Sequence, residues 1–100
     1  MRVKVTKRMA NEIKKRTGFN ATLEKLNCNN YQWYVSGDPD ANIQDYDIET
    51  GLFSAIRIDY PAEDYACPKY LTTRDLRNIY YGCDGSINDF FRAVKDNIEI

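Results

Sequence analysis

A chain of 100 residues that is 43% hydrophobic, 13% aromatic and 29% charged predicts one folded domain and excludes a disordered polymer. No apolar run approaches the ~20 residues of a membrane span, and the mean hydropathy is −0.63. The net charge of −1 names no partner, yet it conceals two opposed blocks.

The first block opens the chain. Residues 1–17 carry seven cations against Glu12 alone, a local charge of +6. Val3 and Val5 alternate with charged neighbours and predict a short first strand. Nothing in Met1-Arg2-Val3-Lys4-Val5 has the apolar run of a signal peptide. Thr6 then predicts a helix N-cap, and Gly18 a left-handed stop after about Thr17. At 100° per residue Met9, Ala10, Ile13 and Thr17 share one face, and Lys7, Arg8, Asn11, Lys14 and Lys15 the opposite one. Lys14, Lys15 and Arg16 suit the negative end of the helix dipole, whereas Lys7 and Arg8 stand at the wrong end. That mismatch points to a basic face kept for something besides helix stability.

Residues 19–36 predict a hairpin, with strands at Ala21–Leu26 and Tyr31–Ser36 and a turn at residues 27–30. A second hairpin follows, from about Gln44 to Glu49 and from Leu52 to Asp59, turning at Thr50-Gly51. Its second strand has the clearest period-2 alternation in the chain. Residues 60–71, with two prolines and three tyrosines, predict an ordered connection. Thr72 and Asp75 then match a capping box, with Leu71 and Leu76 as its hydrophobic staple. Leu76, Ile79, Tyr80 and Cys83 line the apolar face of this helix, and Gly82–Gly85 ends it. Ser86 and Asp89 repeat the signature before a last helix whose stripe is Ile87, Phe90, Phe91, Val94 and Ile98. The expected architecture is a single α+β domain over residues 1–100. Its element order is β-α-ββ-ββ-αα, with a mainly antiparallel sheet of four to five short strands and three helices packed on it.

Catalytic equipment is sparse. The chain has no histidine, which removes the default general base near neutral pH, the commonest metal ligand and the Cys–His pair. The expectation is a protein that is not an enzyme and takes no cofactor. Cys28, Cys67 and Cys83 are scattered, odd in number and without finger or ribbon spacing, which argues against both a disulfide framework and zinc and for a reducing, cytoplasmic setting. Asp38, Asp40, Asn42 and Glu49 occupy positions 1, 3, 5 and 12 of a calcium loop, but position 6, normally glycine, is Ile43. A β-branched residue resists the turn required there. Asp45 and Asp47 share one strand face, and nothing marks either as the desolvated partner that general acid–base work needs. Gly82-Cys83-Asp84-Gly85 is a helix–helix turn and not a phosphate cradle.

Binding surfaces are better signalled. On the basic side stand Lys7, Arg8, Lys14 and Lys15, together with Arg74, Arg77 and Tyr81, which share the face of the second helix opposite its apolar stripe. Cations interleaved with an aromatic suit phosphate contact and stacking, and Arg and Tyr equally suit a protein interface. On the acidic side, residues 37–65 carry eight carboxylates against Arg57, a local charge of −7. Asp38, Asp40, Asp45, Asp47, Glu49, Asp59, Glu63 and Asp64, studded with Tyr46, Tyr60 and Tyr65, could imitate a nucleic-acid backbone and occupy a basic groove of a nucleic-acid-handling protein. The plain alternative for either surface is an ordinary solvated face. Eight tyrosines in all require some to be core, Tyr80 first among them.

The segment Tyr65-Ala66-Cys67-Pro68-Lys69-Tyr70-Leu71-Thr72-Thr73-Arg74-Asp75-Leu76, with the opening Met1-Arg2-Val3-Lys4-Val5-Thr6-Lys7, resembles small proteins of phages and mobile elements in Firmicutes. The resemblance is to the type II anti-CRISPR proteins among them. Such proteins share no common fold, so no residue role carries over. The resemblance implies a non-enzymatic inhibitor in the host cytosol that binds a large effector, an RNA-guided nuclease with or without its guide RNA. The competing expectation is a small nucleic-acid-binding or regulatory module that uses the basic faces. Neither involves a membrane.

Overall fold

The computed structural model describes residues 3–27, 46–47, 49–61, 67–83 and 85–99. The first helix, α1 (Lys7–Thr17), begins where expected: the Thr6 hydroxyl accepts the Met9 N–H at 3.0 Å. It ends at Gly18, whose φ of 81° is a left-handed conformation that costs glycine nothing. Strand β1 (Asn20–Asn27) follows, and next among the described segments are the two residues of β2 (Tyr46–Asp47) and the long β3 (Leu52–Asp59). Strand β4 (Lys69–Leu71) leads into α2 (Thr73–Tyr81), and α3 (Ile87–Ile98) closes the fold.

β3 is the axis of the sheet. β1 pairs antiparallel along its whole length, from Asn20 opposite Asp59 to Asn27 opposite Leu52. The other edge of β3 is shared end to end by β2, opposite Leu52 and Phe53, and β4, opposite Ile56 to Ile58. Among the described residues, four strands therefore make a sheet three strands wide. Period-2 alternation sends Ala21, Leu23, Ile56, Ile58 and Leu71 to the helix side, where they pack with Met9, Ala10, Ile13, Leu76, Phe90, Phe91, Val94 and Ile98. Leu26, Phe53, Ala55 and Tyr70 form a second buried cluster on the opposite face.

The expected order β-α-ββ-ββ-αα is corrected at two points, the first strand and the connection 60–71. Val3 and Val5 are buried but form no strand: the Val5 N–H donates to Thr73 Oγ1 at 3.0 Å, and the Val3 carbonyl accepts from Arg77 Nε at 3.3 Å. Their alternation signalled a strand, but helix side chains in place of a ladder satisfy the backbone. β1 takes β3 as its partner, because Ala21 and Leu23 then meet Ile58 and Ile56 on the helix side. The expected first hairpin's other arm, residues 31–36, lies outside the described residues. The connection 60–71 contains the unpredicted β4, and among the described residues the sheet is three strands wide where four to five strands were expected. The hairpin of β2 and β3 holds at residues 46–47, with Gly51 at φ 72° and its N–H on the Asp47 carbonyl at 2.8 Å.

Both later caps form as the sequence signals them. Thr72 and Asp75 make the full capping box, Leu71 and Leu76 are both buried, and Ser86 Oγ accepts the Asp89 N–H. Two apolar expectations shift. Ile87, assigned to the stripe of the last helix, is 47% exposed, because it occupies the first turn of α3 beyond the edge of the core. Tyr80 is half-buried and edge-on to Phe90 at 5.9 Å; among the described residues the buried tyrosine is Tyr70.

Candidate functional site

The burial of Met9, Ala10, Ile13 and Thr17 turns the opposite face of α1 outward. Lys7, Arg8, Lys14 and Lys15 are all exposed there, and among the described residues none of them has an ion-pair partner. Lys7 and Lys14, like Arg8 and Lys15, stand seven residues apart, about 10 Å along the axis. Two parallel rows of cations result.

Beside this face, where α1 and α3 pack, lies a groove of about 640 Å³. Met9 and Phe91 are apolar lining, and Ile87 joins them from the start of α3. Lys4, Arg8 and Arg16 supply its cations, and Glu12 its carboxylate. Arg16 is held at three points: Nε lies 3.0 Å from Glu12 Oε2, Nη1 donates to Asn88 Oδ1 at 3.2 Å, and Cζ stands 4.7 Å over the Phe91 ring. Its charge is thus matched by Glu12, and its position over Phe91 is held by the bonds to Glu12 and Asn88. Arg8 belongs both to the outward face and to the groove, which makes one continuous basic strip.

The second predicted basic feature is divided. Arg74 and Tyr81 are exposed, Tyr81 by 76%, whereas Arg77 is half-buried and spends its Nε proton on the Val3 carbonyl. That bond helps hold the segment carrying Lys4 against α2.

The predicted acidic surface is described only in part. Asp38, Asp40, Asp45, Glu63, Asp64 and Tyr65 lie outside the described residues, as do most positions of the calcium-loop pattern, and of Tyr46 only the backbone is described. Asp47 and Glu49 are exposed, and the Asp47 carboxylate accepts the Glu49 N–H at 2.9 Å across the turn. Asp59 is paired with Arg57 at 2.8 Å, and Glu24 stands 3.5 Å from the same guanidinium, with the Tyr70 hydroxyl donating to Glu24. The hydrogen bond to Asp59 leads the influences that raise the Arg57 pKa above its usual value. This cluster ties β1, β3 and β4 together across the sheet face and leaves Asp59 engaged. Tyr60 is half-buried, edge-on to Phe19 at 5.8 Å, with its hydroxyl donating to the Ile98 carbonyl. Burial raises its pKa.

No family model matches the chain, and no curated protein or solved structure does. The functional reading therefore rests on the residues themselves. Among the described residues no group of three or more His, Cys, Asp or Glu could hold a metal ion. Cys67 and Cys83 are free thiols, the latter donating to the Ile79 carbonyl. No helix among the described residues is long and apolar enough to cross a membrane. Sequence reasoning counted Lys4 and Arg16 in the basic block without placing them at a site, and it put Ile87 and Phe91 in the core. The i, i+4 spacing of Glu12 and Arg16 was the one local signal for the held guanidinium; the groove itself needs α3 beside α1.

Proposed function

We propose that the chain is a non-enzymatic binding protein that contacts the sugar–phosphate backbone of nucleic acid through the basic face of α1. The observation that carries this reading is the set Lys7, Arg8, Lys14 and Lys15, exposed together and without ion-pair partners among the described residues. Their unpaired charge is what phosphate contact uses, and Lys7 and Arg8 weaken the helix they stand on. The overall charge of −1 counts against this, since such domains are usually strongly basic, but the +6 of residues 1–17 is local. At physiological salt, charges farther apart than about 8 Å are largely screened, so the local field governs the contact.

The test is fluorescence anisotropy of a labelled 12-nucleotide oligonucleotide between 50 and 300 mM salt. Four phosphate contacts predict a slope of log K against log salt of about −3 for a single strand, at roughly 0.7 per contact. The double variant Lys14→Gln/Lys15→Gln should halve that slope and lower affinity at 0.1 M salt by about 25-fold, roughly five-fold per contact. No binding at 50 mM salt, or a slope indifferent to the double variant, refutes the reading.

The segregation of charge, +6 over residues 1–17 and −7 over residues 37–65, favours a second reading. In it the acidic segment occupies a basic groove of a nucleic-acid-handling effector and inhibits it. The resemblance to anti-CRISPR proteins makes an RNA-guided nuclease the first effector to try. Capture of such a nuclease by the tagged chain, surviving nuclease digestion, is its expected outcome; capture of nucleic acid alone counts against it.

A further inference from the structure

We infer that the groove between α1 and α3 seats one unstacked base of a single-stranded nucleic acid, with Lys4 and Arg8 on the adjoining phosphates, an inference that rests on the nucleic-acid reading above. A site for phosphate alone has no use for an apolar floor. This groove has one, in Met9, Phe91 and Ile87, with Ile87 47% exposed beside cations. Its volume, about 640 Å³, falls within the range of small-molecule sites.

Arg16 supplies the stacking surface. Its Cζ stands 4.7 Å over the centre of the Phe91 ring, and the bonds to Glu12 and Asn88 restrain the guanidinium in rotation. The side chain remains 38% exposed. Guanidinium planes stack on bases as aromatic rings do, and one already held loses little freedom when a base arrives. Its charge is matched by Glu12, so Arg16 adds a platform more than a phosphate contact. Lys4 and Arg8 retain their charge for the backbone, and Arg8 continues into the cation rows of α1. A strand running along α1 can therefore place one base in the groove. A duplex keeps its bases stacked inward, so it meets the cations and leaves the groove empty.

The experiment compares a labelled 12-nucleotide oligo-dT with a 12-base-pair duplex at 0.1 M salt, using the full chain. The parent should bind the single strand about ten-fold or more tighter than the duplex, the gain expected of one stacked base. Arg16→Lys keeps the charge and loses the plane. It should lose that preference, with duplex affinity within two-fold of the parent. Ile87→Ser, at an exposed position in the first turn of α3, should lose it as well and guards against a folding defect in the first variant. Lys14→Gln/Lys15→Gln should weaken both probes, the single strand about 25-fold and the duplex about 60-fold, at roughly 0.7 and 0.9 per contact. Equal binding of the two probes by the parent, or an undiminished preference in both groove variants, overturns the inference and leaves the backbone reading standing. Failure of both probes to bind at 50 mM salt overturns both. Competition by poly-glutamate as effective as by oligo-dT overturns the groove as a base site and gives it to acidic peptides.

Discussion

Replacing Thr73 by valine tests how the start of the chain is held. The Val5 N–H reaches Thr73 Oγ1 at 3.0 Å, both residues are buried, and they are 68 positions apart. Thr73→Val preserves shape and β-branching at the first position of α2 and removes the acceptor. A buried amide left without a partner costs about 1–3 kcal/mol. For 100 residues the unfolding entropy at the midpoint is about 0.21 kcal/mol/K, so the melting temperature should fall by roughly 5–15 °C. Thr73→Ser retains the oxygen and loses a methyl group worth about 0.8 kcal/mol, or roughly 4 °C. Calorimetry gives the order parent, serine, valine. Amide hydrogen exchange separates the causes, because the Val5 N–H should stay protected in the serine variant and exchange quickly in the valine variant. A valine variant that melts with the parent, its Val5 amide still slow, refutes the account of the N-terminal segment. Lys4 lies between Val3 and Val5, so the same variant should also weaken oligonucleotide binding by a few-fold.

Leu76, fully buried on the inner face of α2, should cost about 2–5 kcal/mol when cut to alanine, read from the urea midpoint at constant m-value. Tyr60 makes a pH prediction. Burial raises its pKa above the ordinary 10.0, so the folded state holds the phenolic proton more tightly than the unfolded chain, and stability falls as pH rises past 10. Tyr60→Phe, about 1 kcal/mol weaker at pH 7 for the lost bond to the Ile98 carbonyl, should lose stability less steeply than the parent between pH 9.5 and 11; parallel urea-midpoint curves would contradict this. For the effector reading, Asp45→Asn/Asp47→Asn/Glu49→Gln should weaken inhibition with an unchanged melting curve, and full inhibition by the triple variant ends the acidic-mimic mechanism.

Helix boundaries and their caps were legible because they are local. Thr6, Gly18, Thr72 with Asp75, and Ser86 each act on backbone groups within three or four residues, so the residue order contains everything the cap needs. The face of α1 that is buried, and therefore the basic face left outside, follows equally from a 3.6-residue period. The alternation of Leu52 to Asp59 likewise showed which side chains share a face, although both faces of β3 are buried in part, Ile56 and Ile58 against the helices and Phe53 and Ala55 on the other side. It could not settle which strand or helix would receive their backbone. Pairing joins residues far apart in the chain, and the energy that selects a partner comes from contacts across the sheet, such as Leu23 with Ile56, that no local window contains. The same holds for the candidate groove. Arg8 and Lys4 were visible as charges, but the platform of Arg16 on Phe91, and the exposure of Ile87, exist only because the core seats the start of α3 beside α1.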